Sequence, residues 1–322
     1  IVSRIKILSK LNIAVKRLPQ DGRITFKYQN RDIDMRISTI PTIRGEKIVI
    51  RIFDSHFKIN NIEDLGITKS EHNLLENLLK NPNGLILLCG PTGCGKSTTI
   101  YTILQELNEE EINITTIEDP VEYKISGINQ IQIRPSIGLD FDTALAHILR
   151  QDPEIIFVGE LRTEITARTA MRAALTGHRV FSTIHTYSAL SAVDRLKDMN
   201  IEPYLISAGV NGIISQRLVK KLCPNCRMKI NEANDYFDAK YYYQAVGCDK
   251  CNEGYIGRTA IFEILVLNKE LKRAIIKNES YDELLKIAKR DGFLEMRDKF
   301  SKVLEEGITT FEELMKVLNS LE

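Results

Sequence analysis

The spacing of apolar residues changes period twice along this chain. Ile1, Ile5, Leu8 and Leu11 recur at a helical interval, so Ile1 to Leu11 is predicted as an amphipathic helix. Because Ile1 already belongs to that stripe, the sequence is expected to open inside a domain. Three alternating runs follow, Arg23 to Tyr28, Asp32 to Ser38 and Lys47 to Phe53, separated by turn residues at Gln29-Asn30 and Gly45. They predict an antiparallel meander. In the second run Ile33, Met35 and Ile37 face one way and Asp32, Asp34 and Arg36 the other, while Arg51 interrupts the apolar residues 48–53. Residues 54–66 are polar, without a period, and read as a linker.

From Thr68 the pattern becomes a helix with Leu74, Leu75, Leu78 and Leu79, then short apolar strands alternating with helices. The strands are expected at Leu85 to Cys89, Ile112 to Ile117, Ile155 to Val158 and Val180 to Ile184. Near-continuous apolar strands between helices predict a doubly wound, mostly parallel α/β sheet covered on both faces. A cysteine-bearing insert follows, and from Asn268 the chain reads as helical and charged, with Thr310 to Glu313 fitting a capping box. The predicted boundaries are an amino-terminal α+β domain over 1–56, a hinge over 57–67, the α/β core over 68–222, a four-cysteine element over 223–264 and a helical subdomain over 265–322.

Composition narrows the function classes. With 322 residues and 43% apolar content the chain can bury a large core. Its 44 basic and 43 acidic residues leave a formal charge of +1, so no long-range field favours nucleic acid or an anionic membrane. No apolar run approaches the roughly 18 residues that span a bilayer, and no signal-peptide pattern opens the sequence, so a cytoplasmic address is expected.

The strongest chemical signal is Gly90-Pro91-Thr92-Gly93-Cys94-Gly95-Lys96-Ser97, continued by Thr98 into a predicted helix. Glycines let the backbone turn so that amides converge on phosphates, the helix adds its positive end, Lys96 reaches the β and γ phosphates and Ser97 is placed for magnesium. The alternative, a chance glycine-rich turn, does not account for the apolar strand before it and the helix after it. Cys89 and Cys94 read as small buried residues. The run Ile155 to Glu160 is an apolar strand ending in an acid, which makes Glu160 the candidate water-orienting base. Gly159 stands where a metal-binding aspartate is usual, so metal contacts are sought at Glu118-Asp119-Pro120-Val121-Glu122, whose alternative reading is an acidic strand-end turn. His178 and His185 bracket the strand Arg179 to Ile184. Only one of them belongs at its carboxyl end, where ligands gather, and that one is His185.

Cys223-Pro224-Asn225-Cys226 and Cys248-Asp249-Lys250-Cys251 are paired knuckles with 21 residues between them, which reads as a structural Zn2+ site. Disulfides, a redox dithiol pair and a metal-free site are the alternatives.

Taken in order, these motifs resemble the GspE/PilB group of secretion ATPases over nearly the whole chain. Further matching residues are Leu18-Pro19-Gln20-Asp21-Gly22-Arg23, Ile117 to Tyr123, Leu149-Arg150-Gln151-Asp152-Pro153, Gly159-Glu160-Leu161-Arg162, Thr176-Gly177-His178, Ser182-Thr183-Ile184-His185-Thr186 and Gln216-Arg217-Leu218. The resemblance implies a RecA-like phosphate-loop core with a zinc-ribbon-like insert, binding ATP with Mg2+. It implies that Glu118, Asp119 and Glu122 help hold the metal, that Glu160 is the catalytic acid, and that His178 and His185 sense nucleotide. Arg36 and Arg51 would meet the γ phosphate. A cytoplasmic homo-hexamer acting on an inner-membrane platform protein of a pilus or secretion machine is expected, with no membrane span and no direct nucleic-acid contact. A DNA-uptake or DNA-translocating ATPase of related fold is the alternative. Family members usually carry acids at the positions of Thr163 and Ile165, and their loss raises a third reading, a nucleotide-binding scaffold with weak hydrolysis.

Overall fold

Period-two alternation builds the first of two units into which the computed structural model divides, Ile1–Lys58 and Ile59–Glu322; residues 1–28, 31–54 and 61–320 are described. After helix α1 (Val2–Leu8), strands β1 (Gln20–Tyr28), β2 (Arg31–Thr42) and β3 (Gly45–Asp54) form an antiparallel sheet in that order. The expected apolar side of the opening helix is corrected. Ile1 and Leu8 are exposed, and the helix buries Lys6 instead. The Lys6 ammonium pairs with Glu46 and donates to the Val15 carbonyl at 2.8 Å. Both partners are needed, because an unpaired buried ammonium would be costly. The helix stops at Leu8 rather than Leu11, where Lys10 takes a left-handed φ of 58°. The predicted turn at Gln29-Asn30 and residues 55–60 of the expected linker lie outside the described residues.

The second unit opens with a short 3-10 turn, Ile62–Leu65, whose Ile62 and Leu65 are buried beside Leu75, Leu78 and Phe262. This part of the stretch expected as linker is therefore packed. Helix α2 (Lys69–Leu79) starts at a capping box in which Thr68 and Glu71 satisfy each other's backbone amides. Then come β4 (Gly84–Cys89), α3 (Lys96–Glu106), β5 (Ile114–Glu118), β6 (Asn129–Gln132), α4 (Phe141–Ile148), β7 (Ile155–Val158), α5 (Glu164–Leu175), β8 (Arg179–Ile184), α6 (Ser191–Asp198) and α7 (Pro203–Gly209). Strand β9 (Val210–Leu222) leads into the hairpin pair β10 (Met228–Ile230) and β11 (Tyr242–Gln244). The chain returns on β12 (Tyr255–Val266) and ends in α8 (Lys269–Ile276), α9 (Tyr281–Arg290), α10 (Phe300–Glu305) and α11 (Phe311–Leu318).

The large sheet has seven strands in the order β12-β9-β4-β8-β7-β5-β6. All neighbours are parallel except β12 against β9. Strand β4 is buried along its whole length, and its residues alternate between two cores. Leu85, Leu87 and Cys89 enter one with Ile156, Ala170 and Leu271; Ile86 and Leu88 enter the other with Leu75, Ile100 and Tyr101. This places a helical layer on each face, as the apolar strands require. Helices α8 and α9 pack into the first of these cores through Leu271, Ile275, Leu284 and Ile287. A third core joins the cysteine insert to α10 and α11 through Phe237, Phe300, Leu304 and Leu314.

Two expectations at helix starts change. The capping box at Thr310 does not form: Glu313 accepts from the Lys220 amide at 3.1 Å, and the Thr310 hydroxyl meets Tyr255 Oη at 3.1 Å. The cap at α5 goes to Thr163, whose Oγ1 accepts from the Thr166 amide at 3.1 Å and donates to Asp142 Oδ1 at 3.2 Å. The Thr166 hydroxyl donates to the same carboxylate oxygen. An acid is thus supplied to this helix start by α4, and Ile165 is exposed. Thr163→Asp should for this reason destabilise by about 1 kcal/mol in urea unfolding, since it sets a second carboxylate against Asp142 and removes a donor. Asp142→Asn in the same chain should restore most of the loss.

Candidate nucleotide site and thiolate cluster

The phosphate loop follows β4 at the carboxyl edge of the sheet and runs straight into α3. Gly90, Gly93 and Gly95 have φ of 143°, 80° and 91°, values that side chains rarely tolerate. At Gly90 a Cβ would also lie 2.6 Å from the Gln216 carbonyl oxygen and 2.7 Å from Cys94 Sγ. The loop is pinned from β9 by Gln216, which donates through Nε2 to the Cys94 carbonyl at 2.8 Å and accepts from Thr99 Oγ1 at 2.8 Å. Lys96 donates to the carbonyls of Gly90 at 2.7 Å and Pro91 at 3.1 Å, so its ammonium is held at the base of its own loop. Burial lowers its pKa, while the charge of Glu160 acts in the opposite sense. Ser97 is exposed and Thr98 half-buried. Cys89 and Cys94 are buried, and burial pushes the Cys89 thiol up to about 12, so neither is a reactive thiolate.

Glu160 follows β7 and His185 follows β8, and in sheet order β8 is next to β4 and β7 next to β8. Their side chains meet: His185 Nε2 lies 3.4 Å from Glu160 Oε2, and Arg162 pairs with Oε1 of the same carboxylate. Two strand spacings, about 10 Å, separate β7 from β4. His178 is not part of this cluster. It precedes β8 at the opposite edge, where its ring is within 3.0 Å of the Ala173 carbonyl oxygen.

The acids 118–122 separate into two kinds. Glu118 is buried, and its carboxylate takes hydrogen bonds from Tyr101 Oη, Thr116 Oγ1 at 2.5 Å and Gln130 Nε2 at 3.2 Å. Burial raises its pKa, and those three donors pull it back. Asp119 is exposed and Glu122 half-buried. Asp119, Glu122 and the Ser97 hydroxyl are oxygen ligands of the type Mg2+ takes.

In the first unit the register sets Arg36 directly opposite Arg51 across β2 and β3, and Arg23 opposite Arg36 across β1 and β2. Like charges directly opposite each other on neighbouring strands repel.

Cys223, Cys226, Cys248 and Cys251 converge, with all four Sγ atoms within 4.8 Å of one another and Cys223 buried. Three of the spacings are 3.9 Å (Cys223 to Cys248), 3.7 Å (Cys226 to Cys251) and 3.6 Å (Cys248 to Cys251). A tetrahedron with Zn–S bonds of about 2.3 Å has edges of about 3.8 Å, so the set fits zinc without rearrangement. Among the described residues this is the one group of three or more His, Cys, Asp or Glu side chains with that convergence. The insert is seated by Arg227, which donates to the Gly307 carbonyl at 2.5 Å and lies 4.7 Å over the Tyr243 ring.

The family model described as "Type II/IV secretion system protein" matches residues 1–316. The chain belongs to that family. Among relatives, the type II secretion system ATPase E of Vibrio cholerae is 44% identical over 98% of this chain and 65% of its own length. The type IV pilus assembly ATPase PilB of Thermus thermophilus is 43% identical over 98% of this chain and 37% of its own. The chain therefore spans less than two thirds of these relatives. A crystal structure of the pilus retraction motor PilT with bound ADP superposes with a TM-score of 0.69 at 28% identity, covering 92% of this chain and 77% of that one. No helix among the described residues is long and apolar enough to cross a membrane.

Within this type II/IV secretion family member, three residues emerge that motif reading did not assign a role. Gln216 and Arg217 lie in the Gln216-Arg217-Leu218 match, and only folding shows that β9 runs beside β4. Arg217 is buried against the loop, donating to the carbonyls of Gln216 at 3.1 Å and Tyr187 at 2.8 Å. Arg23 required the strand register. Two outcomes follow from this geometry. Gly90→Ala should weaken ATP binding by about 100-fold in calorimetry, since the loop must leave its cradle, while destabilising the fold by only about 1–3 kcal/mol. Cys251→Ser should remove bound zinc, read by elemental analysis, and lower the melting temperature by about 5–10 °C, with ATP affinity kept.

Proposed function

We propose that this chain is the motor portion of a Mg2+-dependent ATPase that powers pilus assembly or type II secretion. The observation that carries the reading is the complete phosphate loop at the end of a doubly buried strand, with Glu160 and His185 joined on the next two strand ends. Lys96 and the loop amides hold the phosphates, and Ser97, Asp119 and Glu122 would hold the cation, which screens phosphate charge when bound. Glu160 accepts a proton from the attacking water, and its contacts with His185 and Arg162 fix the carboxylate's direction. From the family resemblance, Arg36 and Arg51 would supply positive charge for a transferred phosphoryl group. Zinc at the four thiols is structural, since all four positions are taken by cysteine and no open position is left for chemistry.

The protein would act as a homo-hexamer on the cytoplasmic side of an inner-membrane platform, coupling hydrolysis to movement between its two units. The family and the names of its relatives support this working context. Thr163 and Ile165 do not weaken the case for turnover, because Arg162 still reaches Glu160. Glu160→Gln should bind ATP with near-normal affinity and release phosphate at least about 100-fold more slowly than the unaltered chain. Equal rates would leave a nucleotide-binding scaffold.

A further inference from the structure

The helix that carries Lys96 and Ser97 also carries Tyr101, and that side chain reaches the acids. Strand β5 is three places from β4 in the sheet, about 14 Å by strand spacing, so the end of β5 does not meet the phosphate loop by sheet geometry alone. Tyr101, only five residues after Lys96 and about 7.5 Å along the axis, closes that distance from above. Its hydroxyl donates to the Glu118 carboxylate and accepts from the Glu122 amide at 3.2 Å. Its ring packs edge-on against Tyr123 with centroids 4.6 Å apart and against Phe157 at 6.5 Å, and the residue is fully buried. Both ends of the acidic turn are thereby tied to one atom on the phosphate-loop helix.

The same contacts remove Glu118 from the list of groups open to a cation. Its Oε1 already faces Thr116 and Gln130, and Gln130 is itself fixed by donating to the Tyr123 carbonyl at 3.1 Å and accepting from the Ile125 amide at 2.8 Å. We propose that Tyr101 is a positioning residue and Glu118 its anchor: together they set the height of the 119–122 turn over α3, so that Asp119 and Glu122 face the cation beside Ser97. This rests on the nucleotide reading above and reassigns Glu118 from metal contact to internal strut.

The test is binding of a fluorescent ATPγS analogue by the full chain, titrated with MgCl2, for the unaltered protein, Tyr101→Phe, Glu118→Gln and the double variant. Tyr101→Phe keeps the ring and its packing, so circular dichroism should show a folded protein. It should bind nucleotide without Mg2+ within about twofold of the unaltered chain, yet need about 10–100-fold more Mg2+ to tighten that binding, the range typical of outer-shell changes. Glu118→Gln should do the same, and the double variant should be no worse than the singles, because one strut has been cut twice. An unchanged Mg2+ response in Tyr101→Phe would overturn the proposal, as would multiplying losses in the double variant, which would place Glu118 on the metal in its own right. If the unaltered chain binds with this Mg2+ response but releases no phosphate, the motor reading fails while the strut stands. If the unaltered chain shows no Mg2+ response, both fail.

Discussion

Everything at this site depends on one constraint: a run of backbone amides must converge on a point in space, and the peptide chain does not hold that shape unaided. Positive φ at Gly90, Gly93 and Gly95 permits the turn, and permission is different from enforcement. Enforcement comes from both sides. Strand β4 is buried along its length and fixes where the loop begins; Gln216 clamps the Cys94 carbonyl and Thr99 and fixes where it ends. Because β9 carries the clamp, the loop's geometry is referred to a strand more than a hundred residues later, and through β9 to the antiparallel β12 and the helices behind it.

That dependence explains the organisation of the carboxyl-terminal third. Glu263 on β12 is buried, accepts from the Ala189 amide at 2.6 Å and from the Met296 amide at 3.0 Å, and has its pKa raised by burial. Ala189 lies four residues after His185, so the loop that aims the histidine is held by the same strand that braces β9. Lys299 ties the following turn to Glu71 at the start of α2. The thiolate cluster sits where β9 leaves the sheet and β12 returns. It closes the only long excursion between these two strands, and the third core packs that excursion on α10 and α11. A metal there would stiffen the scaffold.

How much of this was legible in the sequence follows the range of the interactions. The phosphate loop, Glu160, His185 and the cysteine knuckles are read from residues close together in the chain, and their types are dictated by chemistry that tolerates few substitutes. The alternation of β1 to β3 and the apolar strands of the core were legible for the same reason, since side-chain period is a local property. What escaped depends on partners far away in the chain. Lys6 looked like the polar side of a helix until Glu46 and the Val15 carbonyl came to meet it. Thr310 and Glu313 matched a capping box by spacing, yet Lys220 and Tyr255 compete for the same oxygens and win. Thr163 looked like a lost acid, whereas Asp142, from another helix, supplies the carboxylate.

The acidic turn 118–122 shows the same limit in its sharpest form. A run of acids after a strand invites the assumption that every carboxylate faces the metal, and sequence offers no reason to divide them. Burial divides them. A carboxylate in the interior must spend its lone pairs on protein donors, and Glu118 spends them on Tyr101, Thr116 and Gln130. An exposed carboxylate such as Asp119 is under no such demand, and on the proposal above its lone pairs would go to a hydrated cation. The strength of the inner network is what gives the outer acids a defined position: a turn hung on a single strand end would sample many heights above α3, and a small cation that demands near-octahedral oxygen geometry would bind few of them. On the proposal above, the buried acid would contribute to metal binding without ever approaching the metal.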